Sequence, residues 1–285
     1  MKKIFVLGSR GMLGHVVSDY LRTFPDEYII YNLARNIERS ENGVPIDLLD
    51  FELLKETIVS LRPDVIINCV GLLVKNSIDK PSLAILTNSY LPHFLNETSY
   101  ECDYKLIHIS TDCVFSGKKG SYLENDFKDE TNYYGLSKNL GEIINDKNLT
   151  IRTSIIGPEL KPDGSGLFQW FMNQRNRDVV KGYTKAIWSG LTTLELSRFI
   201  HHCIVNDYSG LLHATNNDSI SKYELLNLIK AKFKLSVDIE PSCQYEIDKS
   251  IKMTKEINYQ FPNYEYMIKE MAEWINLRPE LYDDE

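Results

Sequence analysis

No stretch of this 285-residue sequence approaches the roughly 18 consecutive apolar residues that a membrane span needs, and Met1-Lys2-Lys3 leads directly into a short apolar run with no separate secretory segment. A cytoplasmic protein that does not engage a membrane is therefore expected. Cysteine is scarce. The five residues, Cys69, Cys102, Cys113, Cys203 and Cys243, are odd in number and scattered, with no CxxC pair. Such spacing indicates neither a disulfide framework nor a zinc site, and free thiols are expected. A surplus of positive charge is also lacking: the formal net charge is -8. This argues against a sequence-independent nucleic-acid binder, because phosphate backbones are held by excess Lys and Arg. His15, His108, His201 and His202 have no ligand spacing, so no metal is expected. Internal repeats and low-complexity tracts are absent.

What is present is an alternation of short apolar runs with helical periodicity, in a chain whose 43 % hydrophobic composition allows a substantial core. Residues 3–7, 28–32, 65–70, 105–110 and 149–156 read as strands. Residues 12–24, 53–61, 82–101 and 134–145 read as helices. Strands alternating with helices imply a Rossmann-like α/β fold with a doubly wound parallel sheet. After Gly157 the pattern changes, with Pro158, Pro162, Gly164 and Gly166 crowded together. We therefore expect a dinucleotide-binding domain over 1–157 and a smaller α/β, mainly substrate-binding region over 158–285, with some segments returning to the first domain. In that region 210–214 reads as a strand and 221–232 as a helix, with Ser221 and Glu224 spaced as a capping box.

Gly8, Gly11 and Gly14 follow a strand and open a helix, the context in which this spacing carries meaning. Gly8 permits the tight turn, Gly11 lets backbone approach a pyrophosphate, and Gly14 lets the helix pack close to the sheet. The helix start then offers amide donors and a positive dipole to phosphate. At the end of the second strand, where an NAD enzyme places an acid on the ribose, the chain has Asn32-Leu33-Ala34-Arg35. An Arg there suits a 2′-phosphate, which favours NADPH and leaves NADH as the alternative; a solvated surface role for Arg35 is equally open. Asp47-Leu48 lies where an acid would contact adenine, or where it would cap the helix before Phe51.

Tyr134 and Lys138 sit one helical turn apart. A free phenol has a pKa of about 10, and a neighbouring ammonium is expected to lower it, making Tyr134 a proton donor to a carbonyl oxygen. Thr111, at the end of a strand, is the candidate to orient that oxygen. Gly8-x-x-Gly11-x-x-Gly14, Ser110-Thr111-Asp112-Cys113-Val114-Phe115-x-Gly117, Tyr134-Gly135-x-x-Lys138 and Arg152-Thr153-Ser154, in this order, resemble an extended short-chain dehydrogenase/reductase. More narrowly they resemble the dTDP-4-dehydrorhamnose reductase family, and the likeness continues through Gly190-Leu191-Thr192 and Gly210-Leu211-Leu212-His213.

The resemblance implies an NADPH-dependent reductase of a nucleotide-linked 4-keto-6-deoxysugar, serving surface polysaccharide synthesis. It implies Tyr134 as proton donor, Lys138 as the residue that tunes it and holds the nicotinamide ribose, and Thr111 on the keto oxygen. Gly8, Arg10, Gly11, Met12, Leu13 and Gly14 would surround the pyrophosphate, with Arg35, Asp47 and Leu48 toward the adenosine. Cys69, Val70, Gly71, Asn88 and Ser110 would complete the cofactor site, Asn88 having a structural amide role as its alternative. The substrate would meet Thr111, Asp112, Cys113, Phe115, Ile155, Trp188 and Thr192. A homodimer is compatible with the resemblance.

Related 4,6-dehydratases carry a Thr-Asp-Glu triplet whose Glu serves water elimination. Here the third position is Cys113, which favours simple reduction. The rhamnose-forming reductases have Tyr in place of Cys113 and Trp in place of Ile155, so a bulkier sugar, such as a 2-acetamido sugar, is a candidate substrate. Two other functions stay open: a non-catalytic subunit resembling the regulatory subunit of methionine adenosyltransferase, and an epimerase-reductase using Cys113 as an acid/base group. Leu167, Phe168, Trp170 and Phe171 offer either stacking surfaces or core, and Lys161 and Lys185 either diphosphate contacts or solvated faces.

Overall fold

The computed structural model describes all residues except 162, 163, 165 and 283–285, so Pro162 lies outside the described residues. In chain order the elements are β1 (Lys2–Leu7), α1 (Gly14–Leu21), β2 (Tyr28–Ala34), β3 (Gly43–Pro45), α2 (Phe51–Leu61), β4 (Val65–Asn68), α3 (Val74–Asp79) and α4 (Pro81–Ala84). A π-helical turn (Ile85–Tyr90) leads into α5 (Leu91–Cys102), then β5 (Lys105–Thr111), a 3₁₀ turn (Asp112–Val114), α6 (Tyr133–Leu140), β6 (Leu149–Thr153) and β7 (Ile155–Ile156). The chain continues through α7 (Leu167–Met172), β8 (Val179–Trp188), β9 (Leu191–Thr192), α8 (Thr193–Val205), β10 (Gly210–His213), β11 (Ile220–Ser221), α9 (Lys222–Phe233), β12 (Asp238–Asp248), α10 (Tyr264–Asn276) and α11 (Pro279–Tyr282).

Seven strands form one sheet in the order β10-β6-β5-β4-β1-β2-β3. From β3 to β5 every neighbour is parallel, and Ile4 of β1 lies opposite both Ile30 and Val65. All four residues of β4 are buried, as expected for a strand covered by helices on both faces. Phe5, Leu7, Leu33, Leu54, Ile58, Ile66, Leu91 and Leu95 form a common core between the sheet and the helices that cover it. Strand order reverses about β1, with β2 and β3 on one side and β4 and β5 on the other. Open α/β sheets bind ligands outside the strand ends at such a switch point, here those of β1 and β4.

The chain forms two compact units. The first comprises Met1–Phe115, Phe127–Arg152 and Ser197–Leu212; the second comprises Ser116–Asp126, Thr153–Leu196 and His213–Glu285. Within the second, β11, β8 and β12 make a three-stranded sheet and β7 pairs with β9. Tyr122 bridges Ile251 there, and the buried Glu124 accepts from the Thr254 hydroxyl at 2.7 Å.

Of the elements that differ from their sequence-based expectation, three do so for an identifiable physical reason. The helix expected over 82–101 is interrupted by the π turn. Pro92 has no N–H for the Asn88 carbonyl, and its ring crowds that oxygen, so the helix widens immediately before it. Gly141 ends α6 short of the expected residue 145. The strand expected over 149–156 breaks at Ser154, whose carbonyl accepts from Leu191 N at 2.9 Å, so only its first part joins the large sheet. In α9 the Ser221 and Glu224 box forms in both directions, with Glu224 N donating to Ser221 Oγ at 3.1 Å. Ser221→Ala is expected to lower the unfolding free energy by about 1 kcal/mol. A urea midpoint equal to the wild type would contradict that contribution.

Candidate active site

β1 runs into a turn at Gly8, where φ is +74°, a left-handed value that favours glycine. Gly8 N donates to Leu33 O at 2.9 Å, tying the turn to β2, and Gly11 N returns to Gly8 O at 2.9 Å. Gly14 then opens α1 against the same carbonyl, and a Cβ at this position would overlap the Gly8 oxygen. His15 is a structural clamp on this turn. Its buried ring donates through Nδ1 to the Gly11 carbonyl at 2.8 Å, and burial lowers its pKa, favouring the neutral form. Arg10 and Gly11 are exposed, Met12 is half-buried and Leu13 is buried. Ser9 Oγ is buried with no partner among the described groups. Glycine backbone, a helix start and a buried hydroxyl with no partner among the described groups fit a bound pyrophosphate.

Arg35 is exposed immediately after β2, while Asn32 is tied inward by the Ser18 hydroxyl at 2.8 Å. The helix-capping role open to Asp47 belongs instead to Asp50, which accepts from Leu53 N at 3.1 Å. Asp47 is exposed and accepts from Leu49 N, and Leu48 is buried in the core. Beyond β4, Asn68 Oδ1 accepts from Val70 N at 3.1 Å and bends the chain at Cys69 and Val70. Burial pushes the Cys69 thiol up to about 12. This loop meets the glycine turn: a Cβ on Gly8 would stand 3.2 Å from Val70 Cγ2. Gly71 is exposed.

Asn88, in the π turn, is fully buried and uses both ends of its amide. Its Oδ1 accepts from Leu72 N at 2.7 Å, and its Nδ2 donates to Leu72 O and to Ser137 Oγ, each at 3.0 Å. It thereby joins the β4 loop to α6. Ser89 adds a bond to the Ser137 carbonyl at 2.7 Å.

α6 begins at an Asn132 cap, whose side chain accepts from Gly135 N at 2.9 Å. Gly135 is required here by close approach. A Cβ would overlap both Glu130 and the Cys113 carbonyl, so only glycine lets the helix reach the residues after β5. That approach brings the turn carrying Tyr134 up to the end of β5 that carries Thr111. Thr111 also accepts from Cys113 N and donates to Asp112 Oδ1, each at 3.1 Å. Lys138 is buried, and its Nζ donates to the Ile109 carbonyl at 2.7 Å.

The electrostatics differ from the expectation that Lys138 lowers the phenol's pKa. Burial raises the Tyr134 pKa well above its ordinary value, with Cys113 and Asp112 adding to the shift and the Thr111 hydroxyl opposing it. The lysine itself moves more usefully: burial brings it down to about 8, against the opposing pull of Glu142 and Cys69.

The other expected residues fall as follows. Ser110 turns its hydroxyl inward to Glu142 Oε1 at 2.8 Å. Asp112 is buried and Cys113 half-buried. Phe115 has no exposed surface, lying 5.0 Å beneath the Arg152 guanidinium. Its expected place in a substrate wall is therefore corrected to packing. In the second unit, Ile155 pairs with Leu191, and Thr192 Oγ1 accepts from Glu195 N at 3.2 Å. Trp188 is buried, its ring centroid 5.7 Å from that of Tyr264. Phe168 packs on Phe233 and Lys185 pairs with Glu246. Sequence reasoning missed Glu142, Ser137 and Ser89; the Lys138-to-Glu142 spacing of four was a signal for the first. Among the described residues, no three His, Cys, Asp or Glu side chains converge as a metal site.

Gly135→Ala is expected to destabilise the protein by about 1–3 kcal/mol, as overpacking does. Denaturation equal to the wild type would show that the helix has slack there.

Comparison with known proteins agrees with this geometry. Residues 1–256 match the family model described as RmlD substrate binding domain. A dTDP-4-dehydrorhamnose reductase of Aggregatibacter actinomycetemcomitans is 26 % identical over 240 residues, covering 79 % of this chain and 76 % of that protein. Methionine adenosyltransferase 2 subunit beta of Danio rerio is 30 % identical over 144 residues, covering 50 % of this chain and 42 % of that one. The crystal structure of a Bacillus anthracis dTDP-4-dehydrorhamnose reductase, in complex with NADP, shares the fold with a TM-score of 0.81 at 23 % identity, covering 95 % and 98 % of the two chains. With the glycine turn, the Thr111 strand end and the Tyr134 and Lys138 helix joined in the first unit, and the match running from residue 1 to 256, the chain belongs to the RmlD substrate binding domain family.

Proposed function

We propose that this protein is an NADPH-dependent reductase of a nucleotide-linked 4-keto-6-deoxysugar. The observation that carries this reading is the close approach of α6 at Gly135 to the Cys113 carbonyl, with the buried Lys138 on the same helix bonded to the Ile109 carbonyl of β5. The glycine turn, the orphaned Ser9 hydroxyl and the exposed Arg35 fit NADPH, which when bound supplies the hydride. Thr111 Oγ1 orients the keto oxygen. Tyr134 donates its phenolic proton to that oxygen, so C=O becomes CH–OH. Because burial raises the phenol's pKa, it stays protonated across the working range, ready to donate. The Lys138 ammonium then stabilises the phenolate formed in the step.

The Danio rerio relative supports a second reading, a binding subunit without turnover. Against it stand Thr111, Tyr134 and Lys138 acting as one polar group, which a binding subunit does not need. NADPH oxidation measured against dTDP-, UDP- and GDP-linked 4-ketosugars, including 2-acetamido forms that the small Cys113 side chain would admit, separates the two. Cofactor binding with no turnover on any of them would favour the subunit.

Tyr134→Phe is expected to lower kcat by about 10²–10⁴-fold, the span of general acid catalysis, with NADPH affinity retained; unchanged turnover would refute the donor role. The pH profile follows from Lys138. The ammonium persists below a pKa of about 8 and is lost as pH rises through it, so kcat falls on the alkaline side. A profile flat to pH 10 would contradict an essential ammonium.

A further inference from the structure

Next to Thr111 and the end of α6 lies a second, largely buried set of charges that the proposed reaction does not itself use. Glu142 and Arg152 are both buried, with side-chain exposures of 1 % and 0 %. They face each other bidentately: Arg152 Nε donates to Glu142 Oε1 at 2.8 Å and Nη2 to Oε2 at 2.7 Å. The guanidinium rests on Phe115, and Lys128 reaches Oε2 at 3.1 Å. The remaining bond runs toward the site, where Ser110 Oγ donates to Oε1 at 2.8 Å.

Position gives this arrangement its meaning. Ser110 directly precedes Thr111, and Glu142 stands four residues beyond Lys138, just past the end of α6. The end of β5 and the α6 segment are therefore stitched at two consecutive residues, Ile109 to Lys138 and Ser110 to Glu142. Arg152, on β6, fixes the carboxylate from a third element.

We propose that Glu142 is a positioning residue: gripped by Arg152, its carboxylate holds Ser110, and so Thr111, in register with the helix carrying Tyr134 and Lys138. This rests on the reductase reading for its kinetic consequence but not for its electrostatic one. Among the described residues, few titratable groups act on Lys138. Cys69 comes from the loop after β4, His108 from β5, Tyr134 from one turn earlier on α6, and Glu142 from just beyond the helix. His108 is buried and neutral, and burial keeps the Cys69 thiol protonated. The Glu142 carboxylate is the larger of the two influences that raise the Lys138 pKa, ahead of Cys69.

Two variants of the full chain test this. In Glu142→Gln, followed by NMR titration of lysines labelled at Cε, Lys138 is expected to titrate at least half a pH unit lower than in the wild type, a readout that needs neither substrate nor turnover. Ser110→Ala leaves the Glu142 and Arg152 pair in place and removes only its bond toward Thr111. Displacement of a reacting group by a fraction of an ångström is expected to lower kcat about tenfold, with KM for the sugar within twofold of the wild type. Should Glu142→Gln fail to fold, the Ser110→Ala kinetics decide. Should the wild type reduce none of the sugars, the reductase reading fails and the Lys138 titration decides. A folded Glu142→Gln in which Lys138 titrates as in the wild type, or a Ser110→Ala enzyme with unchanged kcat, would overturn the proposal.

Discussion

The first unit is organised around one enclosed carboxylate. Glu142 meets Arg152, Lys128 and the Ser110 hydroxyl. An ion taken out of water costs several kcal/mol unless its partners and hydrogen bonds are complete. Glu142 meets that condition only when β5, β6 and the end of α6 stand in one arrangement, because its donors come from Ser110, Arg152 and the Lys128 segment. Losing a partner would leave a buried charge exposed to the full penalty, of order 3–5 kcal/mol. Nearby alternatives are thus expensive, and the strand end carrying Thr111 has one place to be.

A similar logic runs on the other side of α6, with amides in place of ions. Pro92 denies the Asn88 carbonyl its helical partner, the helix widens, and the Asn88 side chain reaches both Leu72 and Ser137. The loop after β4 is thereby joined to the helix carrying Tyr134, and the same loop touches the glycine turn through Val70. The switch point of the sheet, where strand order reverses about β1, is where these three segments converge. A local defect in one helix aligns the segments suited to a cofactor with the segment suited to proton transfer.

The division of charge in the site also has a direct physical cause. Burial favours the neutral form of every group it encloses, so it raises the phenol's pKa and lowers the lysine's. Tyr134 is held as an acid, and Lys138, drawn to about 8, becomes the group that titrates near working conditions. A neighbouring ammonium was expected to depress the phenol; desolvation outweighs it. Cys113, half-buried beside Thr111 and Asp112, brings no carboxylate of the kind that elimination chemistry uses.

The sequence by itself determined the alternation of strands and helices, the glycine turn, the Ser221 and Glu224 cap, and the placing of Tyr134 and Lys138 one turn apart on a helix. Each is a local pattern, set by backbone sterics or by helical spacing over a few residues. Only the tertiary structure decided the π turn at Asn88, the break at Ser154, the burial of Phe115 under Arg152, and the direction in which Tyr134 and Lys138 shift. These depend on groups distant in sequence: Ser137 lies 49 residues from Asn88, and the Ser110 hydroxyl lies 32 residues from its carboxylate. Spacing shows which side chains share a helix face. How much water they lose, and which buried ion they meet, is set by the strands and helices that close over them.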